Sequence, residues 1–206
     1  MADCNFFKTK PFKHQKDALD VGWDKPVFGY FMEMGTGKSK VLIDNLALLY
    51  LKRRITFSLI IAPKGVYRNW IDKEIPEHMS EDVPHRIIRW VASPSKKQAE
   101  EMRSVGYKFD GLTIFVMNVE SFSTIKGQKA GQFLARAFGP QGMIAIDEST
   151  TIKNHKAKRS NNLINTAQSF KYRRLLTGSP VTKSPMDIFG QFEFLGRGLL
   201  GVENFY

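Results

Sequence analysis

Six short apolar runs, separated by segments with helical patterning, constrain this chain more than any other feature. They are VFGYFM (27–32), FSLIIA (57–62), HRIIRWV (85–91), LTIFVMN (112–118), MIAID (143–147) and RRLLTG (173–178). Several are apolar at successive positions, the pattern of strands covered on both faces. Helix candidates fall between or beside them at 14–22, 38–52, 95–105, 129–138, 160–168 and 185–195. Ser93-Pro94-Ser95 is a start signal for the third, and Gly106 a stop. This alternation predicts an α/β fold: a central, mostly parallel sheet of right-handed βαβ units, flanked by helices on both faces. A length of 206 residues, 42% of them hydrophobic, suits one such core and is short for two. Repeats, low-complexity tracts and Pro/Gly/Ser-rich linkers are lacking, so one domain over 1–206 is expected. The polar segments 76–85 and 149–160 are expected as exposed loops.

The formal net charge of +11 makes an acidic polymer a plausible partner, most simply nucleic acid. Charge alone fits a basic soluble surface equally well. Cys4 is the single cysteine, which rules out a disulfide framework or a cysteine metal cluster within the chain. The four histidines are scattered without ligand-like spacing. The N-terminal segment has no apolar core of signal-peptide length, and no run spans a bilayer. A reducing, aqueous compartment and no membrane partner are expected.

The first apolar run ends near Met34. It is followed at once by Gly35-Thr36-Gly37-Lys38-Ser39 and then by VLIDNLALLYL. Strand, glycine turn and helix in that order put unpaired backbone N–H groups at a helix N-terminus, where an anion is stabilised. Lys38 can reach the β- and γ-phosphates of a nucleotide, and the Ser39 hydroxyl can ligate Mg²⁺. Gly35 and Gly37 keep the backbone close to the phosphates. The strict loop pattern begins with glycine where this chain has Met32, but the donors lie on residues 35–39.

A phosphate loop names no reaction without a carboxylate for the metal and another for water. MIAIDES supplies both at the C-terminal end of an apolar strand, where ligands of open α/β sheets bind. Asp147 is the candidate for holding Mg²⁺, and Glu148 for positioning or deprotonating the attacking water.

The order FKHQ (12–15), MGTGKS (34–39), IIAPKGVYRNW (60–70), DESTTIKN (147–154) and RLLTGSPVTKSPMDIFGQFEFL (174–195) resembles the first RecA-like lobe of superfamily II helicase-like ATPases. It is similar in particular to the Swi/Snf-type branch, which includes chromatin remodellers and bacterial and phage DNA translocases. Ile152, Lys153 and Asn154 after the acidic pair, and the LLTGSP segment with DIFGQFEFL after it, carry that narrower likeness. The resemblance covers nearly all of 12–206.

By that resemblance Gln15 recognises adenine, with Phe12 and Lys13 near the base. Met34 through Ser39 form the phosphate loop. Thr177, Gly178 and Ser179 link nucleotide state to lobe closure. Pro63, Lys64, Asn69 and Trp70 lie beside the nucleic-acid track. Asn118, Glu120 and Ser121 do so more loosely, and Lys153 and Asn154 face it too. Read as residues alone, Trp70 suits the core equally well, Lys153 suits a solvated basic loop, and Phe192, Phe194 and Leu195 suit the core. Thr150 departs from the family, which often has histidine there to couple the acidic motif to the others. ATP and Mg²⁺ are the implied cofactors and duplex DNA the implied track, in the cytoplasm of a bacterium or phage-infected cell, or in a eukaryotic nucleus. The family's second RecA-like lobe carries arginines for the γ-phosphate, and no segment here remains to form it. That lobe is expected in a longer parent or in trans, and this lobe alone should turn ATP over very slowly. The competing expectation is a non-hydrolysing nucleic-acid or protein-binding module on the same fold; another P-loop NTPase class leaves Gln15, IKN and TGSP unexplained.

Overall fold

Strands β1 (Val27–Phe31), β2 (Phe57–Ala62), β3 (His85–Arg89), β4 (Leu112–Asn118), β5 (Gly142–Ile146) and β6 (Tyr172–Thr177) form one sheet in the order β1-β6-β5-β2-β4-β3. Every pairing is parallel. The structure is a computed structural model describing residues 6–154, 157–181 and 184–201.

The successive apolar positions are explained by two cores. In β2, Ile60 and Ala62 enter one core while Phe57, Leu59 and Ile61 enter the other. In β4, Leu112, Ile114 and Val116 face the first, and Phe115 and Met117 the second. Helices α1 (Lys13–Gly22) and α2 (Lys38–Leu51) cover the first face, with Leu19, Leu42 and Leu46 in its core. Short helices α3 (Tyr67–Asn69) and α4 (Ile75–His78), joined by a π-helical turn over Trp70–Glu74, complete that cover. Helices α5 (Lys96–Arg103), α6 (Ile125–Phe138), α7 (Lys158–Ala167) and α8 (Phe189–Leu195) lie over the second face, contributing Met102, Leu134, Leu163 and Phe194.

A guanidinium sits inside the first core. Arg174, on β6, is fully buried. Its guanidinium donates to Asn45 Oδ1 at 2.7 Å and to the carbonyls of Gly22 (3.1 Å) and Trp23 (3.0 Å) at the C-terminal end of α1. A cation there is matched by hydrogen-bond acceptors and by the negative end of the helix dipole. Burial pushes the neighbouring Tyr30 phenol up to about 12, so it stays protonated and donates to Asn45.

Several expectations from the sequence need correction, and one segment is helical where the sequence pattern announces no helix. The segment 67–78 is helical; Pro76 and the lack of a clean apolar period hid it. Helix α6 begins at Ile125, earlier than 129, because Thr124 caps it by accepting the Gly127 N–H at 3.1 Å. The segments 76–85 and 149–160 are not simply exposed loops. Met79, Ser80 and Val83 are buried in the first, and Ser149, Ile152 and Ser160 in the second; residues 155 and 156 lie outside the described ones. By contrast, Ser95 and Gln98 cap α5 reciprocally, as its start signal requires. The proposed helix at 185–195 is a 3-10 turn, Pro185–Ile188, running into α8.

Candidate functional site

Because all six strands are parallel, the loops that leave their C-terminal ends lie along one edge of the sheet. The order of strands places the glycine turn after β1, Thr177–Ser179 after β6, Asp147 and Glu148 after β5, Pro63 and Lys64 after β2, and Asn118 and Glu120 after β4. Segments scattered over the sequence therefore form a single row. Ligands of open parallel sheets bind along this edge.

The glycine turn is held in a left-handed conformation at two points, with φ of 79° at Gly35 and 81° at Gly37. Gly37 is the N-cap of α2. The first N–H groups of that helix have no partner within it, which leaves donors for an anion. Lys38, 8% exposed, donates from Nζ to the Glu33 carbonyl at 3.0 Å, and the Thr36 hydroxyl donates to the same oxygen at 2.7 Å. Phosphate oxygens are stronger acceptors for that ammonium than a backbone carbonyl. Ser39 follows on the first turn of α2, half-buried.

Asp147 continues β5, its N–H donating to the Ile61 carbonyl at 2.7 Å. Its carboxylate is buried. Oδ1 accepts the Glu148 N–H at 3.0 Å, and Oδ2 accepts the Trp70 indole N–H at 2.9 Å. Burial raises the Asp147 pKa above the ordinary carboxylate value; the Trp70 bond opposes this, Glu148 adds to it, and the Lys38 ammonium opposes it. Glu148 has φ of 50°, a left-handed conformation rare outside glycine. Such backbone strain clusters where a side chain must be aimed.

Gln15 is buried and bridges two elements. Its Oε1 accepts the Phe12 N–H at 3.0 Å, and its Nε2 donates to the Thr36 carbonyl at 2.9 Å. His14 Nε2 lies 3.0 Å from the same carbonyl. A cavity of about 380 Å³ opens beside these residues, lined also by Phe12, Lys40 and His78. Phe12 is 70% exposed and stacked on His14 at 5.9 Å between ring centres, an apolar surface fit for a planar base. The His78 imidazole, held below its ordinary pKa chiefly by burial, pairs with the Thr9 hydroxyl at 2.8 Å. Lys40 and Asp44 form a buried ion pair of 2.6 Å under the cavity. Thr9, Lys40 and His78 fall outside every motif quoted above, and His14 lies within FKHQ without being singled out.

Of the residues assigned to the nucleic-acid side, Lys64, Asn69 and Asn154 are exposed and Pro63 and Lys153 half-buried. The Lys64 N–H donates to the Glu120 carboxylate at 3.1 Å, and Asn118 Nδ2 donates to Glu120 at 3.2 Å. Asn69 donates to Glu74 at 2.9 Å. Ser121 is 5% exposed, and its hydroxyl donates to Asn118 Oδ1 at 2.5 Å. Trp70 departs from its assignment. At 1% exposure it is a core residue whose only polar atom points to Asp147, so it presents no surface to a nucleic acid.

Thr177 is fully buried, its Oγ1 accepting the Ser179 N–H at 3.2 Å, while Ser179 is exposed. Neighbours of Thr150 and Ser179 join the acidic motif to this loop. The buried Ser149 hydroxyl donates to Gln191 Oε1 at 2.6 Å, and Gln191 Nε2 donates to the Pro180 carbonyl at 2.6 Å. Gln191 sits inside DIFGQFEFL, a segment that carries the family resemblance without marking this residue.

A glycine loop after the first strand and an acidic pair after a parallel strand define a RecA-like nucleotide-binding lobe. A family profile described as the SNF2-related domain matches residues 30–206, and the chain belongs to that family. It is 27% identical over 179 residues to the probable ATP-dependent DNA helicase CHR12 of Arabidopsis thaliana, covering 84% of this chain and 15% of that protein. It is 25% identical over 170 residues to the human DNA annealing helicase and endonuclease ZRANB3, covering 79% and 14%. Among solved structures, the Sulfolobus solfataricus SWI2/SNF2 ATPase core in complex with dsDNA superposes with a TM-score of 0.71 at 19% identity, over 98% of this chain and 39% of that one. The UvsW helicase of bacteriophage T4 gives 0.58 at 18%, over 91% and 58%. The chain spans less than a fifth of the length of the curated relatives it matches.

Proposed function

We propose that this chain is the ATP-binding lobe of a DNA-dependent ATPase that couples hydrolysis to movement on duplex DNA. The observation that carries the reading is topological: the parallel strands β1 and β5, one strand apart, deliver the glycine turn with Lys38 and the pair Asp147 and Glu148 to the same sheet edge. The backbone amides of residues 35–39 and the Lys38 ammonium hold the triphosphate. Phe12, His14 and Gln15 face the base. Ser39 and Asp147 are the residues that would hold Mg²⁺, and both are hard oxygen donors suited to it. Bound there, Mg²⁺ would neutralise charge on the β- and γ-phosphate oxygens. Glu148 orients the attacking water and accepts its proton.

Lys64, Asn69, Lys153 and Asn154, with Pro63 and Ser121 behind them, form the side that meets DNA; the net charge of +11 favours an acidic track. Thr177, Gly178 and Ser179 carry the change in nucleotide state toward a second RecA-like lobe, in a longer parent or in trans. An arginine supplied by that lobe is worth about 10³–10⁵ in rate, so this chain alone should bind ATP and hydrolyse it very slowly. Among the described residues no helix is long and apolar enough to cross a membrane. The DNA-bearing compartment, a nucleus or a bacterial or phage-infected cytoplasm, is the place for such an activity.

Fluorescent ATP binding tests the reading. Lys38→Ala should lose binding, and Glu148→Gln should keep it. Equal binding by wild type and Lys38→Ala would refute the loop's role. DNA affinity should fall linearly with salt on logarithmic axes, and a flat response would remove the track.

A further inference from the structure

The indole of Trp70 is buried, yet its single donor is spent on the carboxylate that the reading above gives to the metal. We propose that Trp70 is a positioning residue: its N–H fixes the Asp147 carboxylate and so sets how strongly Mg²⁺ joins the bound nucleotide. The inference rests on ATP binding at this site.

Three observations carry it. The first is the pairing itself, with the Trp70 N–H on Asp147 Oδ2 at 2.9 Å and the Glu148 N–H on Oδ1 at 3.0 Å. With one donor on each oxygen, rotating the carboxylate breaks both bonds. The second is the backbone that delivers the indole. Trp70 opens a π-helical turn, Trp70–Glu74, between the regular turns of α3 and α4. Such turns are rare and recur at functional sites. The third is chemical. An indole can only donate, so it favours the ionised carboxylate that a cation needs, and being uncharged it leaves the full negative charge available. Lysine or arginine in its place would compete with the metal.

Partners that orient a ligating carboxylate typically contribute about 10–100-fold to metal affinity. Nucleotide affinity should therefore be measured twice by calorimetry, with Mg²⁺ and with EDTA, using a non-hydrolysed ATP analogue. Trp70→Phe keeps an aromatic ring and removes the donor. The expected result is an Mg²⁺-dependent gain in affinity about 10–100-fold smaller than in wild type, with the EDTA affinity unchanged. A purely structural tryptophan would weaken both conditions alike, and that result, or an unchanged Mg²⁺ gain, overturns the proposal. Wild-type protein gives a second readout that does not depend on the variant's folding. The Trp70 indole N–H resonance should shift when the Mg²⁺–nucleotide complex is added and much less with nucleotide in EDTA. A signal indifferent to Mg²⁺ overturns it too. Failure of wild type to bind nucleotide in either condition would instead remove the ATP-binding reading, and this inference with it.

Discussion

Two glycines two residues apart in the phosphate loop share a left-handed backbone, yet alanine should cost very different amounts at each. Gly35 and Gly37 have φ of 79° and 81°. An L-residue in that region costs about 1–2 kcal/mol, and this part is common to both. A methyl group on Gly35 meets nothing within 4 Å. On Gly37 it would lie 2.3 Å from Gln15 Nε2, which must move away. Moving it gives up the Gln15 bonds to the Thr36 carbonyl and the Phe12 N–H. At about 0.5–1.5 kcal/mol net for each bond, Gly37→Ala should be about 1–3 kcal/mol less stable than Gly35→Ala. Urea unfolding of both variants measures the difference. In a Gln15→Ala background the two substitutions should converge to within about 0.5 kcal/mol, since the steric partner is gone. Equal losses in the wild-type background, or a gap that survives without Gln15, would refute the role of Gln15 as the strut behind the loop.

Arg174→Leu should destabilise the protein by at least about 1.5 kcal/mol in the same assay, because it removes charge-assisted bonds to Asn45 and to the carbonyls of Gly22 and Trp23, which keep only neutral donors from Tyr30, Lys25 and Asn45. A loss below about 1 kcal/mol would contradict that bonding pattern. Asp44 should give stability an inverted pH response. Burial pushes its pKa up to about 6 from an ordinary 3.8, against the opposing pull of Lys40. Between those values the folded state binds the extra proton, so this group's contribution is full below the lower one and is lost as pH rises through the upper. Wild type should gain about 1 kcal/mol relative to Asp44→Asn on going from pH 7 to pH 5, and a difference independent of pH would contradict it.

The parallel sheet was legible because burial on both faces writes apolar residues at successive positions; β2 and β4 have the expected bounds. The phosphate loop and acidic pair were legible because backbone geometry forces glycine and strand-end carboxylates into short contiguous strings. Segment 67–78 was not, since its helix is broken by a π-turn and a proline and shows no clean period. Trp70 illustrates the limit most clearly. A string such as NW says that a tryptophan is present, but only the folded packing of its segment decides whether the ring faces solvent or Asp147. Arg174 was hidden for a related reason: its acceptors in α1 and α2, Gly22 and Asn45, lie 152 and 129 residues away in sequence. The bridge from Ser149 through Gln191 to Pro180 joins three segments that the sequence marks as motifs, but no string shows which of their residues touch.

A crystal structure of this chain with Mg²⁺ and a non-hydrolysed ATP analogue bears most directly on the account. Phosphate oxygens should lie against the amides of residues 35–39 and the Lys38 ammonium, with the metal between Ser39 Oγ and the Asp147 carboxylate. A nucleotide bound elsewhere, or a metal on these phosphates remote from Asp147, would contradict it.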